Sequence, residues 1–211
     1  MVGLFDYDND NESAPGDARL EHSRGAAVYH DKPDSPQEHP VQALIRFFVD
    51  LCLLRRAPQD LPASTTLFRT VLTADLFAGL LVGLISGQPF LSSLVQGIAE
   101  LSLQLGLLYG ALRLTGHLGR FTQAGTALLG SGALIALAAL GPLALNPTGS
   151  TESDAAALGA FLLLLVVVWN LVVTGHIVRH TFGISLGQGI AVAVGYEVLA
   201  VTLISVLFGG G

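Results

Sequence analysis

The stretch "AAALGAFLLLLVVV", residues 155–168, runs for fourteen positions without a polar side chain. It forms the middle of an uncharged segment from about 156 to 178. Twenty-three residues of α-helix reach about 35 Å, enough to cross a hydrocarbon core of about 30 Å. Four more segments of this kind lie around it, at about 68–87, 90–112, 123–145 and 186–208, and the one at 123–145 also lacks any charged residue. The whole chain agrees: 51% of residues are hydrophobic and only 12% charged, against about 25% charged in soluble domains. The apolar residues concentrate beyond position 66, whereas a globular core would mix them with polar ones along the chain. This pattern predicts an all-α membrane protein, a five-transmembrane-helix bundle over 68–208.

Charge sets an expected orientation. With the N-terminal tail in the cytoplasm, the inside segments hold Arg46, Arg55, Arg56 and Arg69, then Arg113 and Arg120, then Arg179. The outside loops, 88–89 and 146–155, hold no Lys or Arg, and the second is acidic. Positive residues on one side only is the arrangement that the positive-inside rule describes. Five spans then place the C-terminal "GGG" outside.

Residues 1–40 carry nine acids against Arg19, Arg24 and Lys32, so this tail alone accounts for the formal charge of −6. It has few apolar residues and reads as disordered. It begins "MVGLFDYDND", with neither the basic start nor the apolar run of a signal peptide. The segment "DYDNDNESAPGD" opens like a calcium-binding EF-hand loop, then departs: Asn11 stands for the turn glycine, Asp17 for the closing Glu, and Pro15 intrudes. A solvated acidic run, able to capture a protein partner, is the better description.

From 41 to 57 lies a shorter apolar element, "VQALIRFFVDLCLLRRA", broken by Gln42, Arg46 and Asp50 at four-residue spacing. Its fourteen apolar-rich residues, 41–54, make about 21 Å of helix, too short to span. An interfacial amphipathic helix fits, with Arg46, Arg55 and Arg56 at lipid headgroups. Pro58 and Pro62 end it, and Ser64 or Thr65 can cap the next helix. Arg179, beyond the fourth span, is a further headgroup contact.

Glycines set the packing. Gly79, Gly83 and Gly87 form a GxxxGxxxG ridge, and Gly106 with Gly110 and Gly183 with Gly187 repeat the spacing. Small residues let helix backbones approach closely in lipid, which predicts a compact bundle or a homo-oligomer face on Gly79, Gly83 and Gly87.

The chemistry lies in a sparse polar set inside the spans. Gln96, Glu100 and Gln104 recur every four residues and line one helix face. Glu100, Glu197 and Asn170 fall roughly 12–18 Å inside their spans at 1.5 Å per residue, with Asp75 shallower. A carboxylate at that depth costs at least about 2.5–3.5 kcal/mol, so the stripe must face the bundle interior. Gln96 and Gln104 can donate to Glu100. No Lys or Arg lies at that level as a counter-ion, which argues for neutral, hydrogen-bonded acids. The set reads either as interhelical polar glue, at about 0.6 kcal/mol per bond, or as a proton or cation pathway.

Other features exclude function classes. His176 and His180 stand at i,i+4, a metal-site spacing, but no third ligand is near, and helix-end cations at the membrane boundary fit better. Trp169 lies too deep for an interfacial belt and reads as a packing residue. Cys52 alone excludes a disulfide framework. No nucleophile elbow, phosphate-binding loop or zinc motif appears, so a non-enzymatic protein without metal or cofactor is expected. An acidic tail and the lack of a basic patch disfavour nucleic acid.

The segments "GRFTQAGTALLGSGALIALAAL" and "VVWNLVVTGHIVRH", with a polar N-terminus and five close spans, resemble the bacterial membrane branch of the Yip1 family. The resemblance spans about 140 residues. It implies a scaffold or assembly factor of a bacterial inner membrane, with the N-terminus cytoplasmic. The D-L-Y-G-P type motif tied to the GTPase-contacting branch is absent, so that partner is not implied. Two expectations follow: a Yip1-like scaffold, or a small proton- or cation-coupled permeation protein using Glu100 and Glu197.

Overall fold

The computed structural model describes residues 40–146 and 153–208. The acidic tail, most of the acidic loop after the third span, and the terminal glycines lie outside the described residues. Six α-helices follow in order: α1 (Pro40–Cys52), α2 (Thr65–Ile85), α3 (Phe90–Leu114), α4 (Phe121–Leu145), α5 (Asp154–Phe182) and α6 (Leu186–Phe208). Short 3-10 turns at Pro58–Asp60 and Leu118–Arg120 precede α2 and α4. Helices α2 to α6 are each long and apolar enough to cross a membrane. Phe77, Ile98, Phe161, Leu164, Val198 and Val201 all project outward. An apolar exterior of this kind suits lipid, and the chain is an integral membrane protein.

The helix ends follow local chemistry. Ser64 accepts the Leu67 amide at 3.3 Å and starts α2. Ser153 does the same for Ala156 at 3.1 Å and starts α5. Gly183, at φ 70°, closes α5 in the left-handed region, where a Cβ would be costly.

The five long helices close a ring in the order α2, α4, α5, α6, α3, with α3 returning to α2. Helix α4 is the most enclosed, because α1, α2, α3 and α5 all touch it. Every residue from Ala124 to Ser131 is buried. Its small side chains make that possible: a Cβ at Gly130 would collide with the ring of Phe48 from α1. Helices α5 and α6 approach just as closely, since a Cβ at Gly189 would collide with the Gly175 carbonyl.

The three glycines of the ridge serve three different purposes within the chain. Gly79 lines a cavity. Gly83 lies on Ser93 of α3, and Gly87, at φ 79°, carries the turn after α2.

Helix α1 packs one apolar face inward, with Phe48, Leu51 and Cys52 buried, and leaves Val41, Ile45 and Val49 outward. The chain then runs along α5. The Trp169 indole donates to the Cys52 carbonyl at 2.9 Å, and His176 Nε2 meets the Arg56 carbonyl at 2.9 Å. Gln59 donates to the His180 carbonyl at 2.7 Å. From α4, Gln123 donates to the Leu61 carbonyl at 2.8 Å. Trp169 is thirteen residues before the end of α5, about 20 Å along the helix. The segment from Cys52 to Leu61 is therefore a strap laid against the bundle.

Candidate functional site

Asp75 on α2, Glu100 on α3 and Glu197 on α6 line one cavity of about 410 Å³. All five long helices contribute to its wall. Gln104 comes from α3, Gly132 and Ile135 from α4, Asn170 and Val166 from α5, and Tyr196 from α6. No Lys or Arg lines it. Each carboxyl is ten or eleven residues from the start of its helix, so the cavity sits midway along the bundle.

Asp75 corrects one expectation. A span starting at 68 puts it shallower than the glutamates. Ser64 caps the helix, which begins at Thr65, and these three extra residues bring Asp75 to the common level. Its carboxyl rests against α4, where a Cβ on Gly132 would come within 2.8 Å of Oδ1. Glycine at 132 thus leaves the space that the Asp75 side chain fills.

Glu197 is tied down. Asn170 Nδ2 on α5 donates to its Oε1 at 3.0 Å. Glu100 is different: among the described residues neither Gln96 nor Gln104 donates to it, and its side chain stands exposed toward the cavity. The amide ladder expected on α3 does not form. Gln104 lines the cavity beside Glu100, whereas Gln96, nearer the start of α3, does not.

Asp75 and Glu100 interact electrostatically, as do Glu100 and Glu197. Three like charges in one low-dielectric cavity repel, and no fixed cation offsets them. Tyr196 adds a hydroxyl and an aromatic face to the wall.

The headgroup candidates Arg46, Arg55, Arg56 and Arg179 are all exposed. Arg55 lies 3.9 Å from Asp50, and the Arg56 guanidinium sits 6.0 Å from the Phe47 ring centre. Arg69, Arg113, Arg120 and Arg179 gather at one end of the five helices.

His176 departs from the sequence reading. It is buried rather than at headgroups, and a carbonyl can only accept, so its Nε2–H donates to the Arg56 carbonyl. His180 stacks edge-on against it at 4.5 Å. Its burial follows from the strap, which covers this side of α5. Among the described residues no three His, Cys, Asp or Glu side chains, the cavity carboxyls included, are placed to hold one metal ion.

Sequence reasoning missed Tyr196, Gly132 and the strap contacts. Tyr196 could have been found, since it precedes Glu197 and falls at the same depth. The strap contacts carry no sequence signal, because side chains there bond backbone carbonyls more than sixty residues away. Compared with protein-family models, curated proteins and solved structures, the chain finds no match in any of the three.

Proposed function

We propose that the protein carries protons or cations across the membrane through the central cavity, with Glu100 and Glu197 as the exchanging groups. One observation supports this above all: carboxyls from three helices line one cavity of about 410 Å³ with no Lys or Arg in its wall. Polar glue would close on itself with donors matched to acceptors. Here Glu100 stays open to the cavity, and among the described residues Glu197 alone of the three carboxyls has a donor. Intramembrane carboxyls facing a cavity are the usual markers of ion and proton routes.

In this reading Glu100 takes up the cargo, and Glu197, oriented by Asn170, passes it on. Asp75 adds charge from the α2 side. The arginine-bearing end faces the cytoplasm by the positive-inside rule, which fits an inner membrane of a bacterium with the C-terminus outside.

The test is proton and monovalent-cation flux in liposomes containing the purified protein, for wild type and Glu100→Gln. Flux that disappears in the variant is the expected result. No flux in a folded wild type would discard this reading.

A second reading, a Yip1-like scaffold, draws on the strap. It holds α1 firmly on the bundle and presents Arg46, Arg55 and Arg56 as a fixed platform. Such a platform suits anionic lipid, while the acidic tail suits a protein partner.

A further inference from the structure

We infer that the apolar groove between α3 and α6, together with the carboxyl cavity that shares its wall, accepts a lipophilic organic cation. This rests on the permeation reading and names the class of its cargo. The groove has a volume of about 300 Å³ and is walled by Leu107, Ala111, Leu128, Val192, Gly195 and Leu199. Gln104 and Tyr196 belong to both the groove and the carboxyl cavity, so the two volumes share a wall.

Neither part suits a simpler occupant. An inorganic cation would use the carboxyls and gain nothing from an apolar groove. A lipid chain would fill the groove and leave three carboxyls without a counter-charge. A molecule with an apolar body and a positive centre satisfies both, and the volumes match those of sites for drug-sized ligands, about 300–1,000 Å³. The positive centre would sit at the shared wall, where Tyr196 offers an aromatic face that attracts cations. No Lys or Arg lines either volume, so nothing repels it.

Access is from the side. Leu107, Val192 and Leu199 in the groove wall are among the exposed apolar residues of the bundle. A solute that partitions into the bilayer reaches the groove between α3 and α6 without crossing the charged end.

The probe is labelled tetraphenylphosphonium, measured by equilibrium dialysis against the purified protein in detergent. Tetraphenylborate, with the same shape and the opposite charge, is the control. Saturable binding of the cation alone is expected. It should weaken about tenfold or more when charge is removed by Glu100→Gln with Glu197→Gln, or when the groove is filled by Gly195→Leu. Gly195 is chosen because a Cβ there meets nothing within 4 Å, so the variant can fold. Equal binding of tetraphenylborate, or cation binding unchanged by either variant, would overturn the inference.

Proton flux in vesicles separates the two proposals. Wild type that conducts protons but does not bind the cation sinks this inference and leaves the permeation reading. Glutamate-dependent cation binding without any flux sinks the permeation reading and leaves the site.

Discussion

Asn170 on α5 holds Glu197 on α6 by a single hydrogen bond of 3.0 Å, the one side-chain to side-chain hydrogen bond between helices around the cavity among the described residues. Substituting Asn170→Leu removes the donor and keeps the volume. Such bonds in membrane bundles are worth about 0.6 kcal/mol, at most about 1.7. The melting temperature should therefore fall only slightly. Proton flux should fall much more, since Glu197 loses its orientation. A large stability loss with flux retained would make the pair structural.

Gly132 and Gly189 separate space for chemistry from space for packing. Gly132→Ala pushes a methyl toward Asp75 Oδ1, which can rotate into the cavity. Stability should change little while flux is altered. Gly189→Ala meets the backbone of Gly175, which cannot rotate away. Overpacking of that kind costs about 1–3 kcal/mol. Thermal unfolding of the two variants side by side would show the contrast, and equal losses would contradict it.

Cys52 reports whether the strap is docked. Burial pushes its thiol from an ordinary 9.0 up to about 11. At pH 8 the thiolate fraction should be about a hundredfold lower than for an exposed cysteine, and maleimide labelling correspondingly slow. Trp169→Phe removes the bond to the Cys52 carbonyl, and labelling should then accelerate. The raised value also means that protonated Cys52 favours the folded state. That contribution is complete below about pH 9 and is lost as pH rises through about 11. Rapid labelling of wild type at pH 8 would show that the strap is loose.

Leu54 follows α1 at φ 62°, a left-handed conformation that suits glycine. The turn is closed by Arg55 N bonding Asp50 O at 2.8 Å and Leu54 N bonding Leu51 O at 3.0 Å. For a leucine this conformation costs about 1–2 kcal/mol. Leu54→Gly should raise the melting temperature, since the side chain projects outward and little packing is lost. A decrease would mean that Leu54 makes contacts with lipid worth more than the strain.

The five spans were legible because uncharged apolar runs of twenty or more residues have one stable solution in lipid. Glu100, Gln104, Asp75, Asn170 and Glu197 were legible as a set, because polar residues at such depth must find one another. That they would enclose a cavity was not legible. A cavity depends on lateral helix order, and nothing in the spacing of Gln96, Glu100 and Gln104 reports which helix lies opposite. The burial of His176 was hidden for a related reason: its cover, the segment from Cys52 to Leu61, is polar enough to read as a surface loop.

The strap also constrains the order in which the molecule can be made. Cys52 and Arg56 leave the ribosome early, but the side chains that hold them, Trp169 and His176, come 117 and 120 residues later. Until α5 has been threaded into the bilayer, α1 can rest Phe48 on Gly130 of α4, but the Cys52 and Arg56 carbonyls lack the side chains that hold them. Docking of the strap is therefore a late event in biogenesis. It completes the bundle only after four of the five crossings exist, so a nascent chain truncated before Trp169 would carry a strap without its bonds to α5.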